Sequence, residues 1–344
     1  MLLSDFNYHL PEGLIAQSQA QPRDSARLML VSRATGSITH HHIYDLPNLL
    51  PKNYYIVANN TKVFPARILG TKPTRGKVEV LLTSPLGHSK YLCIARPGLN
   101  VGDIIIFSDS LEGRITHVKD MERTILFNMK ESQLRTTLSE LGTMPTPPYI
   151  KKILGNSADY QTIYAKYGFS AAAPTAGLHF TPGLLKEIKL DHSWNELTLN
   201  VGLGTFLPVK ENSIENHHMH EESYNISITT SQNILRLKKS GQKLLSIGTT
   251  TMRALESNPT LIPGPKSTSI FIYPPYKFQL VDALMTNFHL PGSTLLMLVS
   301  AFCSYPNSQE KFETFRDSLL GRAYAEAVKE KYRFFSFGDA MLII

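Results

Sequence analysis

The chain has 344 residues, of which 42% are hydrophobic and 18% charged, the composition of an ordinary soluble globular protein that exceeds the usual size of a single domain. A formal charge of +7 and an isoelectric point near 9.2 favour a polyanionic partner, but the excess is spread over short clusters such as Lys151-Lys152, so charge alone leaves nucleic-acid binding open. Cys93 and Cys303 are the only cysteines and stand far apart, which excludes a disulfide framework and a thiolate zinc site and fits a reducing cytoplasm.

The N-terminus MLLSDFNYHLPEG carries Asp5 and Pro11 where a secretion signal needs a basic start and an apolar run, so export is not expected. His40-His-His42 comes next; adjacent side chains diverge, and no metal is expected there or at His217-His-Met-His220. The apolar run Tyr54-Tyr-Ile-Val57 predicts a strand, and NNTKVFPAR after it places polar groups at a strand end, where Lys62 and Arg67 are candidate phosphate contacts or simply solvated residues.

From Arg67 to about Lys130, short β-prone runs (KVEVLL, YLCIAR, DIIIF, GRITHV, RTILFNM) alternate with turns, the texture of a small all-β barrel. Ser132 to Gly142 has helical character, and MPTPPYIKK reads as a return linker. Mixed texture on both sides predicts a discontinuous α/β domain, 1–66 and 152–344, with the β unit inserted at 67–151.

Further along, SAAAPTAGLHFTPG combines small residues, two prolines and His179, with Thr181-Pro182 a strong helix start. In LTLNVGLGTFLP, Gly202 and Gly204 follow a strand and either admit a flat ligand or form a plain tight turn; the third glycine of a dinucleotide fingerprint is missing. Glu221 and Glu222 follow the second histidine cluster, which could bring one histidine or glutamate to a cleft.

The segment SIGTTTMRALES predicts a strand, a turn and a helix. Thr249, Thr250, Thr251 and Arg253 would hold an anion at the helix start, unless a threonine merely caps the helix and Arg253 pairs with Glu256 or solvent. In VDALMTNFHLPGST, the polar Asp282, Asn287 and His289 lie in apolar sequence and must be hydrogen-bonded or line a pocket, while Ser293 and Thr294 cap the following greasy helix. That helix, Leu295 to Phe302, is far shorter than the roughly 20 residues that span a bilayer.

With these segments assembled, the chain closely resembles the S-adenosylmethionine:tRNA ribosyltransferase-isomerases of queuosine biosynthesis. The resemblance covers nearly the whole length through RDSARLMLVSRATG, NNTKVFPARILG, PPYIKK, AAPTAGLHFTP, VGLGTFLPV, MHEESY, GTTTMRALES, TNFHLPGSTLLMLVSAF and YRFFSFGDAMLI. It implies a cytoplasmic enzyme that moves and rearranges the ribose of S-adenosylmethionine onto 7-aminomethyl-7-deazaguanine at the tRNA wobble position. Epoxyqueuosine would form, with adenine and methionine released, from S-adenosylmethionine as co-substrate and with no cofactor, metal or membrane. A monomer is expected.

Within those motifs, His179, Asp282, His289 and Glu221 are the candidate acid/base residues, with His179 preferred, because loss of a proton beside a sulfonium needs a base near neutral pKa in a dry pocket. Thr175, Gly177, Phe180, Gly202, Gly204, Thr205, Thr249, Thr250, Thr251, Arg253 and Asn287 are the candidate substrate contacts. For tRNA, the candidates are Lys62, Arg67, Lys151 and Lys152. The sequence departs from the family wording at Asn60, Lys62 and Leu207. Two rival readings are a non-catalytic basic RNA-binding protein and an S-adenosylmethionine-dependent tRNA methyltransferase.

Overall fold

The computed structural model describes residues 1–152, 156–202, 209 and 211–344. Among these, the strands in chain order are β1 (Arg27–Val31), β2 (Ile38–His42), β3 (Tyr54–Asn59), β4 (Thr61–Val63), β5 (Arg67–Thr71), β6 (Lys77–Gly87), β7 (Lys90–Arg96), β8 (Ile104–Ile106), β9 (Glu112–Lys119), β10 (Glu122–Phe127), β11 (Tyr167–Ser170), β12 (Trp194–Leu199), β13 (Glu222–Ile226), β14 (Lys243–Ile247), β15 (Gly264–Thr268), β16 (Ala283–Asn287) and β17 (Ala340–Ile343). The helices are α1 (Leu46–Leu49), α2 (Glu131–Leu141), α3 (Pro182–Asp191), α4 (Ile228–Lys239), α5 (Thr249–Glu256), α6 (Thr294–Phe302) and α7 (Leu319–Lys329).

Nine strands form one sheet in the order β15-β13-β12-β3-β14-β16-β17-β1-β2. Its centre is parallel, β12 with β3, β3 with β14 and β14 with β16. A strand covered on both faces is a near-continuous apolar run, and β3 is buried at all of its positions, with Asn59 the polar residue at its end. Its side chains still alternate between two cores. Tyr55 and Val57 join residues of α4 to α7 on one face, while Tyr54, Ile56 and Ala58 join Leu46, Leu184 and Ile188 of α1 and α3 on the other.

The helix starts follow the expected capping chemistry. The Thr181 hydroxyl accepts from Leu184 N (3.2 Å), with Pro182 at the first helical position of α3, and Ser293 caps α6 by accepting from Leu296 N (3.2 Å).

The inserted unit is a closed barrel, β10-β7-β6-β5-β8-β9. Alternate residues, among them Ile68, Val80, Leu82, Ile105 and Ile125, fill its interior, and Leu134 and Leu138 of α2 join that core. The chain leaves the barrel beside where it entered, since Thr143 N donates to Arg67 O (2.8 Å) and Arg67 N to Thr143 O (3.2 Å). An α/β body with an inserted barrel is therefore the architecture.

Closure of the barrel requires a close approach at Gly70, where a Cβ would meet Ile105 Cγ2 at 2.6 Å, Phe107 Cδ1 at 2.8 Å and Ile106 O at 2.9 Å. Overpacking against a backbone oxygen has no side-chain escape. Gly70→Val should therefore lower stability by about 1–3 kcal/mol in urea unfolding of the full chain, with the loss carried by the barrel.

Candidate active site

Parallel strands β12, β3, β14 and β16 end at Leu199, Asn59, Ile247 and Asn287 on one edge of the sheet. Chain order runs from β3 outward to β12 and returns to β14 on the other side of β3, so the connections diverge above Asn59, where open α/β sheets bind ligands. A cleft opens at this edge. Four stretches wall it: Ala173 to Ala176, Gly248 to Thr250, Thr286 to Leu290 and the turn at Phe335 and Ser336.

Asn59 ties the strand ends together. Its Oδ1 accepts from Leu199 N (2.9 Å) and Thr61 N (3.1 Å), while Nδ2 donates to Leu199 O (3.0 Å) and Thr250 Oγ1 (3.5 Å). Next to it, Asn60 Nδ2 donates to Glu196 Oε2 (3.1 Å). An aspartate at this position would set a second carboxylate against Glu196, so asparagine suits this neighbour.

Helix α5 starts at the cleft. Gly248 adopts φ +87°, a left-handed conformation that favours glycine, and turns the chain from β14 into the helix. The amides at the helix start have no acceptor within the helix and meet the cleft beside Thr249 and Thr250. Thr251 turns away, its hydroxyl donating to Ile247 O (2.7 Å) in the core.

Arg253 also lies below the cleft wall. It is 2% exposed, and its guanidinium is paired with Glu222 and donates from Nε to Ile270 O (3.4 Å). Glu256, the partner considered in the sequence, accepts instead from the amides of Gln279 (2.8 Å), Leu280 (3.0 Å) and Val281 (3.0 Å). Glu222 also accepts from Gly202 N (2.9 Å), so this glycine serves as an amide donor to a structural carboxylate. The expected acid/base residue Glu221 is exposed. The strand period explains the exchange: Glu222, Tyr224 and Ile226 point inward, Glu221 and Ser223 outward, a signal readable in the sequence.

The other candidates separate by position. Asn287 and His289 line the cleft. Asn287 is 2% exposed; its Nδ2 donates to Phe335 O (3.0 Å), and its Oδ1, with no partner at hydrogen-bond distance among the described residues, is on a side chain that also interacts with His179. His289 Nε2 bonds to Thr286 Oγ1 (2.9 Å), and its backbone is held from both sides, the amide donating to Tyr324 Oη (2.8 Å) and the carbonyl accepting from Tyr8 Oη (2.5 Å).

Asp282, in contrast, precedes β16 and so stands a whole strand away at the opposite edge of the sheet, exposed, with its carboxylate accepting from Leu244 N (2.7 Å). Strand polarity thus removes it from the cleft. Thr175 lines the cleft, but Gly177 is dictated by packing, as a Cβ there would overlap the Tyr164 hydroxyl. Phe180 is fully buried, edge-on to Trp194 at 5.4 Å. Gly204, Thr205 and Leu207 lie outside the described residues.

His179 is 5% exposed and faces a smaller recess behind the wall, bordered by Gln19, Arg23 and Ser336. Burial is the main cause that pushes its pKa down to about 4, against the opposing pull of Asp339. Burial likewise lowers His289 to about 3. Both rings are neutral at pH 7.

Because the unfolded chain takes up these protons near the ordinary value of 6.5, well before the folded protein does, stability is complete above about pH 6.5. It should fall as pH drops from there towards 4, by about 3 kcal/mol for His179. Urea midpoints across that window measure the loss, and His179→Gln is expected to flatten the slope.

For tRNA, Lys62, Lys151 and Lys152 are exposed. Arg67 is partly tied down, Nη2 donating to Thr146 O (3.3 Å) with Nε 3.6 Å from Glu79. Among the described residues no group of three or more His, Cys, Asp or Glu side chains gathers as for a metal, and no helix is long and apolar enough to cross a membrane.

A histidine paired to a threonine, a buried amide and a helix start meeting at the carboxyl edge of a mixed sheet define an α/β enzyme with an appended barrel. The family model described as queuosine biosynthesis protein matches residues 3–343, and the chain belongs to that family. It is 46% identical over 351 residues to the S-adenosylmethionine:tRNA ribosyltransferase-isomerase of Fusobacterium nucleatum, covering 99% of this chain and 96% of the relative. The enzyme of the same name from Symbiobacterium thermophilum is 45% identical over 353 residues, with 100% of both chains covered. Among solved structures, the S-adenosylmethionine tRNA ribosyltransferase of Thermotoga maritima superposes with a TM-score of 0.56 at 34% identity, covering 99% of this chain and 100% of that one.

Proposed function

We propose that the chain is an S-adenosylmethionine:tRNA ribosyltransferase-isomerase of queuosine biosynthesis. It transfers and isomerises the ribosyl group of S-adenosylmethionine onto 7-aminomethyl-7-deazaguanine at the tRNA wobble position, releasing adenine and methionine and leaving epoxyqueuosine. The observation that carries this reading is full-length similarity to relatives of that name, with the family's TNFHLPG and GTTTMR segments meeting at one cleft. Neither rival, the non-catalytic RNA-binding protein or the methyltransferase, is supported by the relatives' names.

In this reading the α5 start and Thr249 and Thr250 receive the methionine carboxylate, Asn287 accepts a hydrogen bond from a nitrogen donor of the ligand, and His289 is the acid/base residue of the cleft. Thr286 fixes its tautomer and ring. The exposed lysines Lys62, Lys151 and Lys152 contact tRNA phosphates, residues 67–151 act as the inserted unit of a catalytic body formed by 1–66 and 152–344, and the enzyme works in the cytoplasm as a monomer without a cofactor. Incubation of the purified protein with S-adenosylmethionine and tRNA bearing the aminomethyl base, followed by nucleoside mass analysis, tests it. The epoxycyclopentanediol adduct with free adenine is the expected result; S-adenosylhomocysteine or no product from folded protein overturns it.

A further inference from the structure

The cleft and the recess behind it share one wall residue. Ser336 lines both and is 4% exposed, and its Oγ lies 2.8 Å from the Oη of Tyr149, which lines the cleft. The turn that carries Ser336 is tightly determined. Phe335 takes φ +69°, unusual for a residue with a side chain, and its carbonyl accepts from both Gly338 N (2.9 Å) and Asn287 Nδ2 (3.0 Å).

On the far side, the recess is small, with room for about one water molecule. Two of the residues beside it carry buried polar atoms with no partner at hydrogen-bond distance among the described residues, Gln19 Oε1 and His179 Nε2, although the His179 side chain also interacts with Asn287. Gln19 and Arg23, which border it, are half-buried and lie between the recess and bulk solvent.

The proposed reaction has a proton for such a route to carry. A primary alkylamine is an ammonium at pH 7, so acceptor and sulfonium bring two positive charges. The products are neutral adenine, methionine with its usual balanced charges, and one secondary ammonium on the tRNA. One proton must therefore leave per turnover, from a cleft whose inner walls are largely apolar.

We propose that the Tyr149–Ser336 hydroxyl pair is the route by which this proton leaves, ending on a water held in the recess between Gln19 and His179. Tyr149 Oη takes the departing proton as its own passes to Ser336 Oγ, and the Ser336 proton passes to the water, which exchanges with bulk. Both hydroxyls end neutral and turned the other way, so no charge is stored in the wall. Burial, which pushes the Tyr149 hydroxyl up to about 12, suits a relay that is never left ionised.

The inference rests on the proposed activity, and the test separates the two. Wild-type protein is first assayed in a single turnover with S-adenosylmethionine and tRNA bearing the aminomethyl base; no adenine release would sink the activity itself. If adenine is released, Ser336→Ala and Tyr149→Phe should lower the single-turnover rate about tenfold or more, with KM for S-adenosylmethionine within about twofold of wild type. Ser336→Thr, which keeps the hydroxyl, should retain most of the rate.

Imidazole buffer should restore part of the lost rate in Ser336→Ala, and the solvent deuterium isotope effect should differ from wild type. A Ser336→Ala rate within about twofold of wild type overturns the relay, as does a loss that neither buffer nor deuterium alters. Should Ser336→Ala fail to fold, Tyr149→Phe, which keeps the ring, decides by the same readouts.

Discussion

Arg253→Ala is expected to destabilise the protein by about 3–5 kcal/mol, because it takes the Arg253 guanidinium away from the buried Glu222 carboxylate. Both side chains are 3% exposed, so water cannot replace the lost partner. Glu222→Ala should cost a similar amount by stranding the guanidinium. The two losses should not add: once one charge is gone, removing the other relieves a penalty, and a double-mutant cycle in urea should show a coupling of about 1–3 kcal/mol.

This outcome separates two roles for Arg253. A carboxylate or phosphate clamp would weaken S-adenosylmethionine or tRNA binding with little change in stability, whereas the observed pairing predicts the reverse for the folded fraction. Unchanged stability together with a large loss of affinity would return Arg253 to the clamp role. In the pairing role its effect on the site is indirect, through the anchoring of α5 and of Gly202, whose amide Glu222 holds at 2.9 Å.

His289→Gln should lower kcat by about 10²–10⁴-fold, the usual span for loss of a general acid or base, while changing stability far less. The ring borders the cleft, and its backbone bonds to Tyr8 and Tyr324 survive any side-chain change. Thr286→Val, which keeps the shape and removes the hydroxyl at 2.9 Å, should lower kcat less than His289→Gln and leave KM nearly unchanged, since it frees the tautomer without removing the base. A His289→Gln enzyme with wild-type kcat would transfer the role elsewhere, with His179 first in line through its position behind Asn287.

Local chemistry was legible wherever it is decided within a few residues. Thr181-Pro182 and Ser293 marked helix starts because capping needs only a hydroxyl and the amide three residues on. The turns between Arg67 and Lys130 marked a barrel because short strands of even spacing have few other ways to hide their edges. Alternation also held the answer at Glu222, the first residue of the strand that follows the second histidine cluster.

Position across the sheet was not legible. Asp282 and Asn287 belong to the same polar-in-apolar stretch, yet strand direction sets one at each edge, and only Asn287 meets the cleft. His179 and Thr175 share one short turn, but a 3-10 turn rotates successive side chains by about a third of a circle, so Thr175 faces the cleft and His179 the recess. Arg253 found a partner 31 residues away, beyond any helical spacing.

By itself, then, the sequence determined the α/β body, the barrel within it, the capped helix starts and the family, all encoded in periodicity, turn chemistry and long motifs. Only the tertiary structure decided which polar residues share the cleft, because that depends on strand order, strand direction and the pairing of charges in a dry interior, and these are settled by contacts between segments that are remote along the chain.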